Sequence, residues 1–280
     1  MGSHKTIAVA PKKGMVEIRG TNGITGKNML RRALLALIIC TGTLTLSTTL
    51  ATLASSAHAQ NYPRIEVYLE EQTAAGTNHV YQMLNVNIDE MVSMIEDFND
   101  NLILFDSFNI HFANHNLIAS VLPGVRQDEW AFFDRNNTND VYIAYEQIAQ
   151  LSSGDTAEWF PNTMNVVFHE MAHAILHINN MASPTEAQDV EVSERLADEF
   201  AFFVLSELYE DDAALERVLD QFDRMSYIGQ DANQRRYADI RADRYDCLLE
   251  GKLGDDAECA QAYYRLVDHW TERLAPYIRP

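Results

Sequence analysis

The spacing of apolar and polar positions divides the chain into a first half with alternating runs and a second half with helical ones. Ile65-Glu66-Val67-Tyr68-Leu69 and Phe108-Asn109-Ile110-His111-Phe112 alternate with period two, and Val141 to Tyr145 forms a third short run, which predicts three strands. Between the first two, Ile88, Met91, Met94, Ile95 and Phe98 recur at helical spacing within Asn87 to Ile103, with Asn87 or Asp89 as the cap. The Met residues of that helix read as core filler. Leu122-Pro123-Gly124 marks a turn.

After Pro161, the stretch Asn162 to Asn180 is apolar around most of a helical circumference. Ser183-Pro184-Thr185-Glu186 is a helix-start pattern, and the next helix begins there or a few residues later. From Asp211 onward the pattern is helical: Ala213 to Met225, Asn233 to Leu249 and Ala257 to Tyr277. The expected fold class is α+β, with a small sheet, a buried central helix and a mostly helical C-terminal half.

The central helix carries the candidate chemistry. Val167, Phe168, Met171, Ala172, Ala174, Ile175, Leu176 and Ile178 fill its apolar arc, while His169, Glu170, His173 and His177 share the narrow polar one. A helix of that kind is buried, and a buried Glu with two His needs a partner to offset desolvation. Residues four apart return to nearly the same face about 6 Å along the axis. His169 and His173 can therefore meet one metal ion, with Glu170 placed as general base towards a water beside it. His177 stands two turns beyond His169, about 12 Å along the axis, too far for a single ion to touch both. It reads as solvated or as supporting the ligands from behind.

A catalytic zinc takes three protein ligands and one water. The third ligand is sought in Ser193-Glu194-Arg195-Leu196-Ala197-Asp198-Glu199-Phe200-Ala201. There Glu194 and Asp198 share a helix face with Ala197 and Ala201, whose small side chains permit close approach. Glu194 is favoured over Glu191, and Asp198 is placed to accept the outer N–H of a ligating His and fix its tautomer. Tyr227, Arg235, Arg236 and Tyr237 are candidates for stabilising an oxyanion, with no spacing argument to choose among them. For the two Arg, pairing with surface acids is an equal alternative.

HExxH is the pattern of the zincin metallopeptidases, and a downstream Glu-x-x-x-Asp is the signature of the gluzincin branch. HEMAHAIL followed by ERLADEFAFF resembles a family of zinc metallopeptidases in secreted bacterial proteins, known mainly as a domain of unknown function. Trp130 to Asp134, Val141 to Glu146, Gln234 to Tyr237 and the two late cysteines resemble further parts of that family. The resemblance implies a zincin-like domain over residues 60–280. It also implies Zn²⁺ held by His169, His173 and Glu194, Glu170 as catalytic base, and a peptide or protein substrate bound along an edge strand. Two positions depart from it. Members often carry Cys near the position of Ala144, and a His shortly before the Gln234-Arg235 pair; neither is present here. A catalytically inactive, zincin-like binding module is the alternative, although such a module has no need to retain Glu170.

Composition places the protein in its surroundings. The 280 residues are 47% hydrophobic and 22% charged, as in a globular protein. Of 21 Lys/Arg and 41 Asp/Glu, seven basic residues and one acidic residue precede Gln60, so the remainder sets 14 against 40. That surface repels nucleic acid and anionic membranes. Residues 1–59 read as an N-terminal extension and secretory signal. Arg31-Arg32 precede an apolar stretch from Ala33 to Leu53, and Ala57-His58-Ala59 offers a cleavage site, with an uncleaved anchor as the alternative. The body of the protein is then periplasmic or secreted, where Cys247 and Cys259 are expected to form a disulfide.

Overall fold

In a computed structural model the described residues are 6–8, 64–70, 78–99, 102, 104–105, 107–122, 125, 131–134, 140–151, 156–181, 185, 189–209, 212–228 and 232–278. The signal segment and its cleavage site lie outside these residues, as do all but one of the residues of the Ser183-Pro184-Thr185-Glu186 helix start. The fold class is α+β as expected, with a small mixed sheet and eight α-helices among the described residues.

The sheet is built on β2 (Arg64–Glu70), β3 (Ser107–Ala113), β4 (Ala131–Phe133) and β5 (Asp140–Ala144), with β1 (Thr6–Ala8) added outside β2. Its order is β1-β2-β3-β5-β4. β2, β3 and β5 run parallel, while β1 and β4 are antiparallel to their neighbours at the two ends. Alternation divides the faces: Val67, Leu69, Phe108, Ile110, Phe112, Val141 and Ile143 point into the main core. On the other face Tyr68, His111, Tyr142 and Phe132 form a continuous stack of rings across four strands, with centroids 4.6–5.6 Å apart. His111 also lies 3.3 Å from Asp140.

The first helix, α1 (Asn78–Asn99), begins nine residues before the expected start at Asn87. Val80 and Leu84 extend its buried face, and Asn87 does not cap it; its Nδ2 donates to the Met83 carbonyl one turn back, at 2.7 Å. Two short helices, α2 (His115–Val121) and α3 (Tyr145–Leu151), were not expected. Tyr145 opens α3 and does not close β5.

The helix carrying the His pair, α4 (Thr156–Ile178), also starts earlier than expected and contains Pro161 in its second turn. Burial of Trp159 and Phe160 holds the added turn in place despite the missing N–H. Its end matches the sequence: Asn180 takes the left-handed conformation with φ 52°. The Met181 N–H then reaches Leu176 O at 3.1 Å and the Asn180 N–H reaches His177 O at 3.4 Å, a Schellman closure. α4 packs between the sheet and α5 (Val190–Leu208), whose N-cap is Asp189.

The rest of the chain follows as α6 (Ala213–Ile228), α7 (Ala232–Leu253) and α8 (Ala257–Leu274), with a 3₁₀ turn over Ala275–Tyr277. Edge-on aromatic contacts tie these layers together. Phe98 meets Phe168 and Phe200 at 5.8 and 5.6 Å, and Phe200 meets Trp270 at 4.8 Å. No helix among the described residues is long and apolar enough to cross a membrane.

Cys247 on α7 and Cys259 on α8 are joined by a disulfide, as expected for a non-cytoplasmic chain. Beside it Gly251 lets the two helices touch: an added Cβ would lie 2.2 Å from the Cys259 carbonyl oxygen and 2.5 Å from its carbon. Both obstacles are backbone and cannot swing aside. Gly251→Ala should therefore lower stability by about 1–3 kcal/mol, as overpacking does, read as a lower urea midpoint. An unchanged midpoint would contradict the close approach.

Candidate metal centre

Three helices meet at the site. α4 supplies His169, Glu170 and His173, α5 supplies Ser193, Glu194 and Asp198, and α7 supplies Arg241 and Arg244. Ala197 and Ala201, both fully buried, let α5 lie close against α4.

One nitrogen of each His and the Glu194 carboxylate converge. Glu194 Oε2 lies 3.2 Å from His169 Nε2, Glu194 Oε1 lies 3.4 Å from His173 Nε2, and the two Nε2 atoms are 3.3 Å apart. Zn–N and Zn–O bonds of about 2.0–2.1 Å around a tetrahedral ion set neighbouring donors about 3.3–3.4 Å apart. The donor triangle therefore fits a single Zn²⁺ with one position left over. Among the described residues this is the one group of three or more His, Cys, Asp or Glu able to share an ion. Glu191 is exposed, and its backbone N–H bonds the Asp189 cap; it is not part of the group.

The opposite nitrogens are anchored. His169 Nδ1 is 2.9 Å from Asp198 Oδ1, and Ser193 Oγ is 3.2 Å from His173 Nδ1. A proton on each Nδ1, directed at Asp198 and Ser193, would leave both Nε2 lone pairs facing the shared centre; Arg241 Nη2 also lies 3.1 Å from His169 Nδ1. Asp198, only 2% exposed, is itself held by two arginines. Arg241 Nε donates to Oδ1 at 2.9 Å and Arg244 Nη1 to Oδ2 at 2.9 Å. Tyr245, one residue on, hydrogen-bonds Asn165 on α4.

Each titration follows from these contacts. Burial would lower the pKa of His169, but its bonds to Asp198 and Glu194 prevail and raise it to about 9. Asp198 is pulled down to about 2, because Arg241 and His169 outweigh the opposing effect of burial. Burial would raise Glu194, but its hydrogen bonds and charge attraction to the two His together prevail and hold it well below the usual carboxylate range. Glu170 moves the other way: burial raises it, with the His pair opposing.

His177 is exposed, its ring 5.6 Å from Phe133 of β4, so of its two expected roles the solvated one holds. Of the oxyanion candidates, Tyr237 lines a cavity shared with Arg241, while Tyr227, Arg235 and Arg236 are exposed on α6 and α7. Sequence reasoning missed Arg241, Arg244 and Ser193. A signal for the arginines existed: Ala238, Ala242 and Tyr245 mark the buried face of α7, and a cation next to that face needs an acid.

No protein-family model, curated protein or solved structure matches this chain. The chemistry of the site is therefore read from its own geometry.

Asp198→Asn would leave two guanidiniums facing each other without their acid. Stability should fall by about 3 kcal/mol, the lower end for a broken buried pair, because the arginines are 31% and 21% exposed. Zinc affinity should fall about 10–100-fold, measured by competition with a chelating dye; unchanged affinity would show that Asp198 does not orient His169. The pH response of the metal-free protein is a separate check. The folded pKa of His169 lies above its ordinary 6.5, so its contribution to stability is complete below pH 6.5 and fades as pH rises through 9. With chelator present the urea midpoint should drop across that window, and the drop should shrink in His169→Gln.

Proposed function

We propose that the protein is a zinc-dependent hydrolase of peptide bonds, gluzincin-like in its ligands His169, His173 and Glu194. The observation that carries this reading is the convergence of those three side chains, from two helices, at the spacing of one ion, with the buried Glu170 directly beside them. When bound, zinc would polarise the scissile carbonyl and bring the pKa of a water near neutrality.

The chain's own groups do the rest. Glu170 accepts the proton of the attacking water and passes it to the leaving amine, a task that suits a carboxylate whose pKa burial has raised. Asp198 keeps His169 in the tautomer that presents Nε2. β4 ends the sheet antiparallel to β5 and packs against α4, so an extended substrate can add to its outer edge by backbone hydrogen bonds. That edge is a short strand, which the alternation in the sequence did not single out. The disulfide supports a periplasmic or secreted setting, where a thiol pair stays oxidised.

The decisive comparison is wild type against Glu170→Gln on a mixed peptide library, with zinc content measured for both. Zinc should be retained, while turnover should fall by about 10²–10⁴-fold, the usual contribution of a general base. Equal turnover by both proteins would remove the mechanism. Stoichiometric zinc without hydrolysis by wild type would support the binding module.

A further inference from the structure

A cavity of about 190 Å³ opens between α3, α6 and α7, directly behind the Asp198 ion pairs. Its polar lining is Gln147, Gln150, Gln234, Tyr237 and Arg241, and Phe222 supplies an apolar wall. Among the described residues Arg241 is its only charged lining residue, and no carboxylate lines it. In a chain with 41 acidic and 21 basic residues, that makes the cavity an exception to its surroundings.

The arginine is held so that part of it remains available. Its Nε and Nη2 are turned to Asp198, and its guanidinium carbon sits 4.8 Å from the centre of the Phe222 ring. Nη1 has no hydrogen-bond partner among the described residues, and the side chain is 31% exposed. Asp198 supplies one negative charge against Arg241 and Arg244, with Glu194 also within electrostatic reach of Arg241. A guanidinium with a free edge, fixed by stacking and by a buried acid, is preorganised for a carboxylate.

Size narrows the ligand. The cavity lies below the roughly 300–1,000 Å³ of sites for drug-sized molecules. It suits a carboxylate on a short stem. The acidic surface disfavours free anions by long-range repulsion, screened beyond about 8 Å at physiological salt. A carboxylate delivered by a chain already bound elsewhere meets less of that barrier.

We propose that this cavity binds a carboxylate of the substrate, so that the hydrolase acts on peptides presenting an acidic side chain or a free C-terminus. The substrate class rests on the peptidase reading, but the binding itself requires neither metal nor turnover. Arg241 would contact substrate through Nη1 while positioning Asp198 through its other nitrogens, and Gln147 and Gln150 on α3 would supply amide hydrogen bonds from the opposite wall.

The experiment uses the metal-free protein and three probes: N-acetylglutamic acid α-amide, N-acetylglutamine, and N-acetylglutamine amide. The first carries only a side-chain carboxylate, the second only a terminal one, and the third none. Binding is followed by calorimetry, or by ligand-observed NMR if it is weak. At least one carboxylate probe should bind tenfold or more tightly than the amide, and which one does so identifies the source. Arg241→Gln should bring it to the level of the amide. Gln147→Glu places an acid in the lining without touching the metal cluster, and it should do the same in a protein of unchanged zinc affinity. Equal binding of all three probes, no binding, or a preference that survives both substitutions would overturn the proposal. Because no step depends on hydrolysis, that failure is distinct from failure of the Glu170→Gln comparison.

Discussion

Asp198 is the constraint around which the rest is arranged. A carboxylate 2% exposed in the middle of a helical layer is strongly disfavoured unless its charge is answered. Here it is answered three times, by His169 of α4 and by Arg241 and Arg244 of α7. Each answer fixes something else. The His169 contact sets which ring nitrogen faces the donor cluster, and the arginine contacts bring α7 to the back of the site. The cavity exists because the arginine that satisfies Asp198 also reaches past it.

Much of the candidate site was legible in the sequence because its physics is local. His169 and His173 are one helical turn apart, and Glu194 and Asp198 are one turn apart on a face lined by Ala197 and Ala201, so two helices could be oriented from spacing alone. What was not legible is long-range. Arg241 is 43 residues from Asp198, and nothing in the neighbourhood of either names the other. Attention fell on Arg235 and Arg236, which stand on the same helix but are exposed.

The fold shows the same division. Strands β2 and β3 follow from alternation, β5 from a short apolar run buried at every position, and the helices of the C-terminal half from apolar period. β4 has three residues and no complete alternation, and it forms because β5 offers it a partner. α1 was expected to be too short because Asn87 carries cap chemistry. In the folded chain its amide serves the preceding turn, and the continuing stripe of Val80 and Leu84 decides where the helix begins. The central helix was expected to begin after Pro161, and two buried aromatics carry it back past that residue.

The three helices that build the centre are spread along the chain, with α4, α5 and α7 separated by intervening segments. A nascent chain that has emerged only as far as Leu208 already holds His169, Glu170, His173 and Glu194. It still lacks the cations that allow Asp198 to sink into the interior. Assembly of the centre therefore waits for α7, and the order of synthesis itself delays the moment at which a complete arrangement can exist.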